Sequence, residues 1–240
     1  MRDYAVETKR RIAWIRAQLS AARADGIVFG NSGGKDSALV GILCKLACEN
    51  TVGIAMPISK RNFGEDLVDA DEVADKFAIE KRTVELADVR DALVAALGGT
   101  ALDGLALANI SPRLRMTTLY AVAAAENRLV AGTGNRSETH MGYFTKWGDG
   151  GCDFNPIADL TVTEVYEFLR HLDAPGSVIE KAPSAALFDG QTDEQEMGIT
   201  YAAIDDYLLN GVATAEDKAK IDAYYARSEH KRRMPSKYSD

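Results

Sequence analysis

Cysteine is scarce in this chain. There are three in 240 residues, Cys44, Cys48 and Cys152. An odd number without regular spacing offers neither a disulfide framework nor a zinc site. Cys44 and Cys48 lie one helical turn apart in an apolar stretch, where small buried thiols belong. This usage fits a reducing cytoplasm. Long apolar runs are missing as well. No uninterrupted stretch approaches membrane-spanning length. The N-terminal MRDYAVETKRR is charged from its second residue and has no apolar signal core. Positive charge is in deficit, with 28 Lys and Arg against 36 Asp and Glu, a net charge of −8 and a pI near 5.0. Such a chain repels nucleic acid unless it gathers a basic patch, but a local cluster of cations can still receive an anionic small molecule. No internal repeat or low-complexity linker divides the sequence. A single domain over residues 1–240 is therefore expected, long enough for one sizeable core.

What is present alternates between two periods. Ile12, Trp14, Ile15 and Leu19 recur among charges at helical spacing between about Val6 and Arg23. GIVFG is a short apolar run bounded by glycines, which predicts a buried strand. A helix follows from near Asp36 through DSALVGILCKLAC, apolar nearly all round. TVGIAM, stopped by Pro57, predicts a second strand, and EDLVDADEVADKFAI an acidic amphipathic helix. RTVEL predicts a third strand, DVRDALVAAL a helix, and RLVAGT a fourth strand. Between the last two, Ser111-Pro112 is expected to open a helix, with the proline in its first turn. Strands alternating with helices make an α/β fold, a parallel sheet with helices on both faces. Past Gly132 comes a long polar stretch, GTGNRSETHMGYFTKWGDGGCDFNP. Loops of this length in compact domains usually carry function, and its aromatics argue for order. LTVTEVYEFLRHL is again helical, APSAALFDGQTDEQEMGI reads as a second long loop, and two extra C-terminal helices follow.

The chemistry concentrates in FGNSGGKDSALV, Phe29 to Val40. A glycine-rich turn between a strand and a helix presents unpaired backbone N–H groups with the positive end of the helix dipole behind them. Gly33 and Gly34 allow close approach of phosphate, and Ser32 and Ser37 add hydroxyls. The phosphate loop of ordinary NTPases has Ser or Thr after Gly-Lys, but here Asp36 follows Gly34-Lys35. A carboxylate repels a bare phosphate, and it makes sense where a Mg²⁺ lies between them. The loop therefore points to binding of a Mg-pyrophosphate unit. A structural glycine turn is the plain alternative.

SGGKDS resembles the PP-loop of the N-type ATP pyrophosphatases. Within that superfamily GTGNRSE, GYFTKWGDGGCD, KAPSAALFDGQTDEQEMGI and SEHKRR resemble the ammonia-dependent NAD synthetases, from about Ile27 to Arg233. The resemblance implies a Rossmann-like fold of the adenine nucleotide alpha hydrolase type without an amidase domain. It implies ATP-dependent amidation of deamido-NAD by ammonia through an adenylate, with Mg²⁺, in a homodimer that holds the dinucleotide at its interface. It assigns Gly30, Asn31, Ser32, Gly33, Gly34, Lys35, Asp36 and Ser37 to the ATP phosphates, with Thr133 and Ser184 as further ATP contacts. Asp36 and Glu138 match the metal carboxylates. Arg113, Lys146, Asp153, His230 and Lys231 match deamido-NAD contacts, and Asp149 is a candidate for positioning or deprotonating ammonia.

Taken alone, several of these have ordinary readings. Arg113 can belong to a solvated helix face, Lys146 and Asp153 to a loop ion pair, Glu138 to a helix cap and His230 to the surface. The run Lys231-Arg232-Arg233 is short for a nucleic-acid site in an acidic chain. The sequence also departs from the family. Val162 stands where many relatives have a lysine on an ATP phosphate, and Ala186 where they have Asp. We expect Lys35 to replace the missing lysine in part. The alternative is that Lys35 faces solvent and Lys60 or Arg61 closes over ATP. Another PP-loop adenylating enzyme and a non-catalytic nucleotide-binding homologue remain as alternative readings.

Overall fold

A computed structural model describes residues 2–58, 64–180 and 193–238. Four parallel strands form its sheet: β1 (Gly26–Gly30), β2 (Thr51–Ala55), β3 (Glu80–Thr83) and β4 (Arg128–Ala131), in the order β3-β2-β1-β4. In β1 the residues Ile27, Val28 and Phe29 are all buried, because both faces of a parallel sheet are covered. Successive side chains point to opposite faces. Ile27, Phe29 and Ala131 join a core with α1 (Tyr4–Ala22), α2 (Lys35–Ala47), α3 (Gly64–Lys76), α7 (Val162–His171) and α8 (Gly176–Glu180). Val28, Val52, Ile54 and Val130 face a second core completed by Leu86, Leu119 and Ala123, the last two on α5 (Gly104–Ala125). α4 (Ala87–Ala96) lies beside α5. The third core joins Met141 of α6 (Arg136–Met141), Val162, Met197 of α9 (Asp193–Met197), Ile204 of α10 (Tyr201–Asn210) and Ile221 of α11 (Ala215–Arg227). The short α12 (Glu229–Arg232) follows. Among the described residues, no helix is long and apolar enough to cross a membrane.

Four elements differ from the sequence reading. The stretch read as a second long loop contains the short helix α9. The third strand is Glu80–Thr83, shifted toward the N-terminus from RTVEL. The chain beyond it stays near β2 through single bonds from Val84 N to Ala55 O at 2.9 Å and from Leu86 N to Pro57 O at 2.7 Å. α5 starts eight residues before Pro112, at Gly104, after the N-cap Asp103, whose carboxylate accepts from Ala106 N at 2.7 Å. Pro112 therefore sits inside the helix. It forfeits one backbone bond of the helix. The long stretch after Gly132 contains α6, closed by a capping box between Asn135 and Glu138.

The chain steps from β1 to β2 to β3 on one side and then crosses back from β3 to β4 on the other side of β1, so the direction of winding reverses there. Such a switch point opens a crevice beyond the carboxyl ends of the two strands, here β1 and β4. The outer edge of β4 is stitched to the following loop. The Asp153 carboxylate accepts from Val130 N at 2.8 Å, and Gly132 N donates to Phe154 O at 2.8 Å. At the other edge β3 carries charge, with Lys81 paired to Asp75 at 2.8 Å and Arg82 to Glu80 at 2.8 Å.

Candidate active site

The crevice is lined first by the phosphate loop. β1 ends at Gly30, the chain turns through Gly33 in the left-handed region (φ 75°), and α2 begins at Lys35. Its N-cap, Gly34, has no side chain to bond the first helical amides. Ser32 Oγ accepts from Gly34 N at 3.3 Å and lies 3.1 Å from Ser37 Oγ, which donates to Gly34 O at 2.9 Å. The serines thus brace the turn from within and leave the N-terminus of α2 as an anion seat. Asn31 extends the β1–β2 pairing, with its N–H donating to Ile54 O at 2.9 Å. Thr133 is half-buried just after β4, on the facing side of the crevice.

Asp36 and Glu138 are 102 positions apart in sequence but meet here, joined by Asn135. The fully buried Asn135 donates its side-chain amide to Asp36 Oδ1 at 3.2 Å and its backbone N–H to Glu138 Oε2 at 3.1 Å. Glu138 therefore does cap a helix, and the cap is what aims it at Asp36. Burial and then the charge of Asp36 push its pKa up to about 8, against the opposing pull of Lys35. A carboxyl whose ionisation is opposed by burial and by a neighbouring carboxylate is suited to a divalent cation between the two. Among the described residues, no group of three or more His, Cys, Asp or Glu could hold a metal. The pair fits a cation that draws its other ligands from phosphates and water, as Mg²⁺ commonly does.

Lys35 does not face solvent. The residue is 8% exposed, and its Nζ donates to Asp36 Oδ2 at 2.6 Å. The rings of Tyr166 on α7 and Tyr201 on α10 lie 6.0 and 5.9 Å from the ammonium. Burial lowers its pKa, but Asp36 and Glu138 outweigh that and raise it, so Lys35 stays charged. Val162 is the first residue of α7, buried in the third core, and its N–H donates to Ser137 Oγ at 3.3 Å. Ser137 Oγ donates in turn to the buried Asp205 at 2.5 Å, and Asp205 also accepts from Thr163 N at 2.7 Å. One buried carboxylate on α10 thus ties α6 to the start of α7.

A second cluster forms where the 142–153 loop meets α5 and α12. Lys146 Nζ donates to His230 O at 2.5 Å and to Arg233 O at 3.2 Å, and lies 5.4 Å from the Trp147 ring. Arg113 reaches Lys146 O at 3.4 Å. Lys231 Nζ donates to Gly142 O and Phe144 O, both at 2.8 Å. Burial lowers its pKa, while Asp149 pulls it up. The Asp149 carboxylate accepts from Thr145 N at 2.9 Å. Loss of hydration raises its pKa, and that hydrogen bond pulls the other way. His230 is exposed. Gly142 allows this closure. It holds φ at 66°, and a Cβ there would lie 2.1 Å from Ser228 Cβ. Arg113, Lys146, Asp149, His230 and Lys231 are thus brought together. Asp153 lies apart, bonded to Val130 N and to Tyr120 OH at 3.1 Å. Ser184, Ala186, Lys60 and Arg61 lie outside the described residues.

Sequence reasoning missed Asn135, Tyr166, Tyr201, Ser137 and Asp205. The N-x-x-E spacing of Asn135 and Glu138 was a readable capping signal. The others are assembled only by tertiary packing.

Comparison with known proteins bears on this geometry. The NAD synthase family matches residues 7–235. An NH(3)-dependent NAD(+) synthetase of Carboxydothermus hydrogenoformans is 48% identical over 233 residues, covering 95% of each chain. One from Archaeoglobus fulgidus is 43% identical, covering 92% of each chain. Among solved structures, an NMN synthetase from Francisella tularensis superimposes with a TM-score of 0.95 at 35% identity, covering both chains fully. An NH3-dependent NAD synthetase from Campylobacter jejuni does so with 0.82 at 30% identity, also over both full chains. The chain belongs to the NAD synthase family, among its ammonia-dependent ligases that form a C–N bond.

Proposed function

We propose that this protein amidates the nicotinate carboxylate of deamido-NAD with ammonia, converting ATP to AMP and pyrophosphate. The observation that carries this reading is the meeting of Asp36 and Glu138, through Asn135, at the mouth of the phosphate loop. A substrate carboxylate oxygen attacks the α-phosphorus of ATP, and the bond to pyrophosphate breaks. Ammonia then attacks the activated carbonyl carbon, AMP leaves with the bonding electron pair, and the new amide sheds a proton. The α2 N-terminus, with Gly33 and Gly34, receives the phosphates, and Lys35 adds positive charge beside them. Mg²⁺ held by Asp36 and Glu138 would neutralise phosphate charge. Arg113, Lys146 and Lys231 gather cations for the anionic dinucleotide, with His230 beside them. Asp149, whose charge acts on Lys231, orients ammonia or accepts its proton on this reading.

A single synthetase domain, a cytoplasmic setting and a homodimer complete the reading. The three cysteines are all free thiols. The dimer is supported by an apolar face in want of cover. α4 buries none of its residues, its own Val89 and Leu93 and the Leu97 that caps it are exposed, and Leu105 at the start of α5 is 67% exposed.

One observation favours a second acceptor. The NMN synthetase fold superimposes at 0.95, above the 0.82 of the NAD synthetase from C. jejuni. On that reading the acceptor is the nicotinate mononucleotide, with the same carboxylate chemistry. The test is incubation with ATP, Mg²⁺, ammonium and either acceptor, scoring dinucleotide amide, mononucleotide amide and pyrophosphate. NAD formed in step with pyrophosphate supports the first reading. Turnover of the mononucleotide alone replaces it with the second, and pyrophosphate from neither overturns both. Asp36→Asn is expected to abolish turnover while the protein stays folded, at a lower melting temperature because the buried Lys35 loses its ion-pair partner. Normal turnover by that variant would remove Asp36 from the chemistry.

A further inference from the structure

Lys35 occupies a position that physical chemistry disfavours. A cation in the first turn of a helix opposes the macrodipole. Side chains at successive helical positions do not normally face each other. The Lys35 side chain is also only 7% exposed, and a buried ammonium needs a partner. Yet it curls back onto its own neighbour, Asp36, at 2.6 Å. Among the described residues, Asp36 is the one acid that it touches. The rings of Tyr166 and Tyr201 stand at the outer limit of cation–π range. The other Asp36 oxygen is held by the neutral amide of Asn135 at 3.2 Å. Both oxygens of the first metal carboxylate are therefore engaged, one of them by a full positive charge.

We infer that Lys35 couples metal entry to nucleotide entry: it is the resident counter-ion of Asp36, which a divalent cation must displace, and the ATP polyphosphate then takes up the ammonium so released. The inference rests on the reading of Asp36 and Glu138 as metal carboxylates. A cation arriving alone at Asp36 meets Lys35 within ion-pair distance and breaks its one direct ion pair while it stays buried, so metal binds weakly by itself. A polyphosphate at the α2 N-terminus lies next to Lys35 in sequence and in space. With it present, the displaced ammonium gains a new anion and the metal gains phosphate ligands. Linkage makes the effect reciprocal, each ligand strengthening the other by the same factor. Lys35 thereby serves the role expected of it, offering charge to the phosphates, but only once Asp36 has been handed to the metal.

The test uses the full-length protein and Mn²⁺ as the probe. Mn²⁺ binding is titrated with and without an ATP analogue that cannot be split between its α- and β-phosphates. Lys35→Met is expected to bind Mn²⁺ alone about tenfold more tightly than wild type, within the usual range for coupled sites. The gain in Mn²⁺ affinity on adding the analogue should shrink by the same factor. Lys35→Arg should keep the wild-type pattern. A structural role for Lys35 would not tighten metal binding. Unchanged Mn²⁺ affinity in Lys35→Met, or an undiminished gain with analogue, overturns the inference. If Lys35→Met does not fold, Lys35→Gln, which keeps a donor to Asp36 without its charge, is read by the same criteria. Asp36→Asn separates the two levels. Its loss of Mn²⁺ binding alongside an unchanged Lys35→Met removes only the coupling, whereas its unchanged binding removes the metal reading and the coupling together.

Discussion

Asp205 offers the most direct measure of how the site is held in place. Its buried carboxylate accepts from Ser137 Oγ at 2.5 Å and from Thr163 N at 2.7 Å. Hydrogen bonds to a charged group contribute about 1.5–3 kcal/mol each, and removing one partner of a buried pair strands the other. In Asp205→Ala the hydroxyl of Ser137 loses its acceptor, and the first turn of α7 loses a capping bond. The two losses share one carboxylate and do not add fully, so a total of about 3 kcal/mol is expected. For a chain of this size that is a fall in melting temperature of about 6–12 °C. Asp205→Asn keeps the shape, can accept from Thr163 N and can donate to Ser137, so its cost is about 1 kcal/mol. Equilibrium denaturation should move its midpoint without a change in slope. Turnover should fall further than the unfolded fraction explains, because Ser137 precedes Glu138 on α6. An Asp205→Ala protein melting within about 2 °C of wild type would refute the reasoning, since neither bond would then carry its usual share.

Three further outcomes are expected. Gly142→Ala combines a positive φ with a Cβ that meets Ser228, so a loss of about 1–3 kcal/mol is expected. Its KM should rise for the nicotinate substrate more than for ATP, because Lys231 is anchored on Gly142; equal changes in both would refute this. Burial, then Arg232 and Arg136, hold His140 below its ordinary value of 6.5. As pH falls, the unfolded chain therefore takes up that proton first, and folding loses stability from about pH 6.5 downward while being unaffected above it. His140→Gln should flatten that part of the stability curve, and an unchanged acid limb would contradict the assignment. Glutamine should not replace ammonium for the isolated chain, whose family match over residues 7–235 is to the synthetase alone; NAD formed equally well from glutamine would refute this.

β1, β2, β4 and α2 were legible in the sequence because a parallel sheet covered on both faces demands uninterrupted apolar runs, and GIVFG and TVGIA supply them. The phosphate loop was legible for a similar local reason, since its glycines and serines act within a few residues of one another. Pro112 misled because its preference for a first turn is a tendency that a well-capped helix can override, and Asp103 supplies that cap. The aim of Lys35 was not legible at all. Whether that side chain faces water or Asp36 depends on Tyr166 and Tyr201, more than 130 positions away, closing over it. The Asp36–Glu138 pair was legible only through resemblance. The residue that joins them, Asn135, is readable as the cap of α6, but its side-chain amide reaches Asp36 only once packing brings α6 to α2.

The stitching of β4 has a consequence for the protein's behaviour in concentrated solution. A parallel sheet ends in two edges whose free N–H and C=O groups are templates for another chain's strand, and hence for aggregation. Here the two edges are blunted by different means. Asp153 and Phe154 occupy the β4 edge with their own bonds to Val130 and Gly132. On β3 the sequence Glu80-Lys81-Arg82 sets charge along the rim, where an incoming apolar strand would have to desolvate it. Asp153, which lies apart from the site cluster, thus guards a sheet edge. Replacing Asp153 with a small apolar residue should expose a growth-competent edge before it exposes any defect in binding.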